Sequence, residues 1–295
     1  MEAGVRRLSE PLVYWRIALV GTLCVLAALC WWWTVDRMSG MDMGPGTNPG
    51  TFGFFITTWV VMMAAMMFPS IAPMVLMYAS MDRTRRAATP IFVAGYLLVW
   101  GAAGLLGFAV LKLGASVAGG FFAWDHAGRW TAAAVLAAAA VYEFTPAKYA
   151  CLRRCRSPLG FIVSSWREGR VGALEMGALH GAWCIGCCWA LTAALFALGA
   201  MSIAWMAVVA ALIAVEKLLP WRAFAVGGVA VILGVLAIGV AASPAKVPGL
   251  TVPTGMSSMS KPMDSMSEPK PMTQPMPKQA PKPMDSMSSG SGMSP

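Results

Sequence analysis

The feature that most limits what this chain can fold into is a series of apolar stretches, each about one bilayer long, separated by short basic segments. A bilayer's hydrocarbon core is about 30 Å thick and takes about 20 apolar residues to cross as a helix. No water is available there, so backbone N–H and C=O groups must be bonded within the segment, and helices are the natural solution. Charged residues make up 12% of the 295, against about 25% in an average soluble protein. The chain therefore reads as all-α. The expected architecture is a polytopic transmembrane helical bundle over residues 1–242, with about seven spans at roughly 15–35, 54–80, 90–113, 128–147, 174–198, 202–219 and 223–242. The last two are separated only by the short break around Lys217, Pro220 and Arg222.

The first apolar run, Ile17 to Val35, is too long for a typical signal-peptide core and is followed by no small-residue cleavage pattern. It ends in Trp31-Trp32-Trp33, as a retained span with an interfacial aromatic belt does. The net charge of +9 does not indicate a nucleic-acid partner, because the basic residues sit in short loops between apolar runs. Arg6, Arg7 and Arg16 precede the first span, and Arg83, Arg85 and Arg86 follow the second. Lys148, Arg153, Arg154, Arg156, Arg167 and Arg170 lie between the fourth and fifth, and Lys217 and Arg222 flank the final turn. The opposite loops, 36–53, 114–127 and 199–201, hold Arg37 and little else that is basic. By the positive-inside rule the N-terminus is expected in the cytoplasm. With seven spans, the C-terminal tail is expected outside a bacterial inner membrane, in the periplasm.

Residues 243–295 are a different material, rich in Met, Pro, Ser and Lys without apolar periodicity, and are expected to be disordered. The segment KPMDSMS occurs twice, at 261–267 and 282–288. Nine of the chain's 23 Met lie between Met256 and Met293. Met usually fills gaps in a core, and a solvated tail has no core to fill. Thioethers are soft neutral ligands suited to Cu(I). Pairs three apart, such as Met263/Met266 and Met284/Met287, could offer two sulfurs to one ion. The first outer loop repeats the theme with Met38, Met41 and Met43 in MSGMDMGPG.

The second span carries Met at 62, 63, 66, 67, 74, 77 and 81, with Pro69 and Pro73 inside it. Met63, Met67 and Met74 fall on one helical face. Ordinary packing would use Met in the same way. A metal-conducting face is the competing reading.

The sharpest signal is HGAWCIGCCW at 180–189. His180, Cys184 and Cys188 are spaced i, i+4, i+8, with Cys187 beside them, so all four share one broad helical stripe. Gly177, Gly181 and Gly186 would admit a neighbouring helix at close range, as small residues do in membranes. Soft ligands on a tightly packed face suggest an intramembrane metal site. Cys184 and Cys187 also form a C-x-x-C, which elsewhere is a dithiol redox centre. Cys151 and Cys155 stand i, i+4 among Arg153, Arg154 and Arg156, where adjacent positive charge would raise thiolate content. Glu143 and Glu216 are ionisable groups near span ends and count as functional candidates, although Glu216 next to Lys217 also reads as a paired helix-end charge.

These motifs bring a family into view. TTWVVMMAAMMFPSIAPM in the second span, VYEFTPAKYACLRRCRSPLGF at 141–161, and HGAWCIGCCW followed by Glu216-Lys217 resemble bacterial integral membrane proteins predicted to bind metal, a family of unknown function. The resemblance covers about 52–220. It implies a helical membrane fold and a link to metal, but no mechanism. A Gln more commonly stands in that family where Glu143 stands here.

The expected function is copper handling in the inner membrane. Cu(I) would be captured by the outer Met clusters, carried along Met63, Met67 and Met74, and held by Cys184, Cys187, Cys188 and His180, with Cys151 and Cys155 toward the cytoplasm. Zn(II) would accept Cys and His, but the Met residues argue for copper. The lipid bilayer, a copper chaperone and a cuproprotein under assembly are the expected partners. No catalytic residue is assigned. Two other readings stay open: a membrane thiol–disulfide oxidoreductase using Cys184/Cys187 and Cys151/Cys155, and a non-catalytic assembly scaffold.

Overall fold

A computed structural model describes residues 2–38, 51–118, 128–199 and 202–243. Nine helices and no strands occur among them: α1 (Glu2–Met38), α2 (Phe52–Ser80), α3 (Arg83–Ala118), α4 (Arg129–Tyr142), α5 (Pro146–Arg156), α6 (Pro158–Ser164), α7 (Gly169–Leu198), α8 (Ile203–Leu218) and α9 (Arg222–Ala242). The all-helical expectation holds for these residues. The expected disordered tail falls almost wholly outside them, as do Met41, Met43, Met263, Met266, Met284 and Met287.

Five helices are long and apolar enough to cross a membrane, at Tyr14–Met38, Phe52–Ser80, Arg83–Gly114, Gly169–Leu198 and Ala223–Ala242. Two of the seven expected spans are shorter than anticipated. Helix α4 has 14 residues and α8 has 16, about 21 and 24 Å at 1.5 Å per residue. The expected fourth span ends early for a local reason. After Tyr142 the chain turns, the Thr145 hydroxyl accepts a hydrogen bond from the Lys148 amide at 3.3 Å, and Pro146 occupies the first turn of α5. That cap-and-proline pair starts a new helix rather than prolonging the old one. Helix α5 stops at Ser157, the residue before Pro158, where the α conformation is disfavoured. At the far end of α7, Gly199 adopts φ 109°, a stop that favours glycine.

Helices α2 and α7 are the most deeply buried of the long helices, with α3 packed along α7 and against α2. Close approach of α3 and α7 depends on glycine. A methyl group at Gly177 would overlap the Phe92 carbonyl, and one at Gly95 would overlap that of Leu174. Small residues at such crossings are how membrane helices bring their backbones together. Around this centre, α1 lies on α2, α5 on α7, and α4 between α7 and α9. The outer faces of α3 and α9 leave Leu106, Phe224, Val231 and Ile238 exposed. That surface is suited to hydrocarbon rather than water.

The basic segments gather at one end of the bundle. The Arg86 guanidinium lies 4.0 Å from the Trp15 ring of α1, and that of Arg85 lies 4.1 Å from Trp166 between α6 and α7. Arg156 at the end of α5 donates to the backbone carbonyls of Glu216 and Leu219 at the end of α8.

Candidate metal centre

Helix α7 presents its cysteines inward because the stripe they share faces α2, α3, α5 and α8. Cys184, Cys187 and Cys188 are all buried, and their sulfurs lie within 4.8 Å of one another. The Cys187 and Cys188 sulfurs are 3.3 Å apart. Three further helices add to this group. From α5, the Cys155 sulfur comes to 3.7 Å from that of Cys187. From α2, the Met67 thioether stands 4.0 Å from the Cys184 sulfur. From α3, the Tyr96 hydroxyl is 3.0 Å from the same sulfur.

The other candidates are placed differently. Cys151 lies over Gly186, where a methyl group would come within 2.6 Å of its sulfur. Burial pushes the Cys151 thiol up from its ordinary pKa, opposite to the effect expected from its arginine neighbours. Two of those arginines are directed elsewhere: Arg154 lies 4.9 Å from the Trp183 ring, and Arg156 caps α8. His180 does not join the thiols. Its ring sits among Phe92, Tyr96 and Phe161, with a T-shaped contact to Phe161 at 5.1 Å, and its Nδ1 is buried without a hydrogen-bond partner. It occupies the preceding turn of α7, about 6 Å along the axis from Cys184. Met63 and Met74 are fully buried on α2, and Met38 is buried at the end of α1.

Lys217 is the member that sequence reasoning missed. Its ammonium lies 2.9 Å from the Cys184 sulfur, 4.0 Å from the Met67 sulfur and 3.4 Å from the Ser70 hydroxyl. It is not the partner of Glu216. The Glu216 carboxylate instead bonds the Lys148 ammonium with both oxygens, at 2.8 and 2.9 Å, and Lys148 also bonds Glu143. Burial works against the Lys148 charge, but Glu216 and Glu143 hold its pKa above the ordinary value. Two consecutive charged residues inside an apolar run were the available signal, since such groups in membrane helices find specific partners.

The donor set suits a soft cation. Thiols and a thioether are the ligands that favour Cu(I), and among the described residues no carboxylate joins them. The surroundings are apolar, with Leu191, Leu195, Val75 and Met206 fully buried in the same core. The Lys217 ammonium stands where it would compensate a thiolate at Cys184.

Fold and site together define an all-helical protein with bilayer-length helices around a buried thiol cluster able to hold a metal. Residues 56–240 match the family PpoB2, described as a copper chaperone. This chain belongs to that family. No curated protein and no solved structure matches it. The matched region runs from α2 through α9 and so contains the whole sulfur cluster, and it extends the 52–220 resemblance into the last helix.

Proposed function

We propose that the protein is an inner-membrane carrier of Cu(I), holding the ion among Cys184, Cys187, Cys188 and Met67 and passing it to or from a copper chaperone or a cuproprotein under assembly. The observation that carries this reading is the convergence of three buried thiols and a thioether from two helices in a member of a copper chaperone family. Seven crossings, with α4 and α8 completing the set, would put the basic end of the bundle in the cytoplasm. The tail and the 38–46 loop would then face the periplasm, where thioethers keep their ligand character under oxidising conditions. Met263/Met266, Met284/Met287 and Met38/Met41/Met43 would capture Cu(I) there, and Met63, Met67 and Met74 would lead it inward. Cys155, alongside Cys187, would be the contact toward the cytoplasm, with Cys151 beside it. His180 would act from the preceding turn as an alternate ligand.

The test is the metal content of detergent-purified protein under reducing conditions after exposure to Cu(I) or Zn(II). It is compared with a Cys184/Cys187/Cys188→Ser variant and a chain truncated after Ser243. Cu(I) retention that collapses in the triple variant, with slower loading on truncation, is expected. Equal and low retention by wild type and the triple variant would remove the metal reading.

One geometric observation favours a second reading. The 3.7 Å between the Cys155 and Cys187 sulfurs would suit a dithiol, as in a thiol–disulfide oxidoreductase. That reading predicts turnover with a thiol substrate and gives the Met residues no role.

A further inference from the structure

Beside the sulfur cluster lies a second buried polar group that copper binding does not use. Glu143, Lys148 and Glu216 come from α4, α5 and α8, and each is at most 1% exposed. Lys148 bonds one oxygen of Glu143 and both oxygens of Glu216. The other Glu143 oxygen, Oε1, is buried and has no hydrogen-bond partner. Two carboxyl groups therefore share one ammonium, and one buried carboxyl oxygen is left without a donor.

Among the described residues no donor is hydrogen-bonded to Glu143 Oε1. Arg156 donates to the backbone carbonyls of Glu216 and Leu219. Lys217 turns to the far side of α8, toward Cys184 and Met67. On α4, the Tyr142 hydroxyl donates to the Gly186 carbonyl at 2.6 Å. The thiols of α7 face Lys217 and Cys155. Helices α2 and α6 and residues 223–242 of α9 contain no Asp, Glu, Lys, Arg or His. A buried, uncompensated carboxylate is costly, and a carboxyl that keeps its proton avoids the cost.

We propose that the Glu143–Lys148–Glu216 triad is a proton-binding site: one proton resides on the carboxyl pair in the metal-free protein and leaves when a cation occupies the adjacent sulfur cluster. The two sites are joined at a single peptide bond. Glu216 holds the triad, and Lys217, the next residue, holds the cluster. Helix α5 makes the same connection, with Lys148 in the triad and Cys155 at the cluster. An ion seated on a Cys184 thiolate and the Met67 thioether, donors with no proton to lose, adds one positive charge there and disfavours a second positive charge nearby. The carboxyl O–H bond then breaks, the proton passes to solvent at the Arg156 end, and a carboxylate remains. No oxidation or reduction is involved. The exchange of one cation for one proton would let a proton gradient drive copper, for which the chain carries no nucleotide-binding loop of the G-x-x-x-x-G-K-[ST] kind. The resident proton stands independently of the copper reading, whereas its release rests on it.

Infrared difference spectroscopy of the full chain in lipid nanodiscs, Cu(I)-loaded minus metal-free, reads this directly. Bound copper is quantified on the same sample. The expected spectrum loses the carbonyl stretch of a protonated carboxylic acid, with a shift in D2O. That band is absent from both Glu143→Gln and Glu216→Gln, while their Cu(I) stoichiometry stays within twofold of wild type. Cu(I) bound at full stoichiometry without loss of the band overturns the coupling and leaves the metal site intact. A metal-free wild-type spectrum without any such band at neutral pH overturns the resident proton, whichever variants fold. No Cu(I) bound at all overturns the copper reading and the release together, and the metal content separates that failure from the others.

Discussion

The ammonium of Lys217 stands 2.9 Å from the sulfur of Cys184, inside the protein and on a different helix. Lys217 is partly buried with its ammonium beside that sulfur, and a thiolate there would compensate the charge. The same sulfur is 4.0 Å from Met67 and belongs to the group with Cys187 and Cys188. Lys217 would then be a positioning residue for the cluster, holding negative charge where a soft cation would bind.

If so, Lys217→Leu should weaken Cu(I) binding. Hydrogen bonds to charged groups contribute about 1.5–3 kcal/mol, so the loss should be roughly 10- to 100-fold. Competition against a chromogenic Cu(I) chelator measures it. Tighter binding in the variant would show instead that the ammonium competes with the ion for the sulfurs.

The two cysteines of α5 should behave differently. Cys155→Ser should lower Cu(I) retention, because its sulfur is 3.7 Å from that of Cys187. Cys151→Ser should change it little. Under mild oxidation the first cross-helix disulfide should be Cys155–Cys187, since closing to about 2.05 Å takes only a small shift. Peptide mapping identifies the bond, and a Cys151–Cys155 link in its place would contradict the geometry.

The triad makes a stability prediction. Lys148→Met leaves two buried carboxyl groups without their shared cation and should cost about 3–5 kcal/mol. Glu143→Gln should cost less, because Lys148 keeps Glu216. Melting temperatures of the detergent-solubilised proteins test the order. A Lys148→Met protein as stable as wild type would mean the triad is not held together by charge.

Packing of α3 on α7 can be tested without touching any polar group. Gly177→Ala puts a methyl group into the Phe92 carbonyl and should cost about 1–3 kcal/mol through backbone displacement. Gly227→Ala, in open space on α9, should be neutral or slightly stabilising. Equal melting temperatures for the two variants would refute the close crossing.

The helical class, most helix positions and the cysteine stripe were legible because they depend on local physics. Apolar runs of bilayer length must satisfy their own backbone, and a 3.6-residue repeat puts Cys184, Cys187 and Cys188 on one face whatever lies opposite. The break after Tyr142 was also local, but the short apolar run masked the cap-and-proline signal at Thr145 and Pro146. Met67 was in view as part of a stripe. Which sulfur of that stripe reaches the thiols was not, because the choice depends on how α2 is rotated against α7.

By itself, the sequence determined that this chain builds apolar helices with basic segments between them, and that one helix carries a face of soft ligands. Only the tertiary structure decided the partners. Glu216 and Lys217 look like an ion pair when read along the chain, yet on a helix adjacent side chains point about 100° apart. One is taken by Lys148 and the other by Cys184. His180 shares the stripe with the cysteines, but aromatic neighbours from α3 and α6 surround it a turn away. Helical periodicity tells which residues share a face, but the depth, rotation and contacts of that face are set by packing between helices distant in sequence.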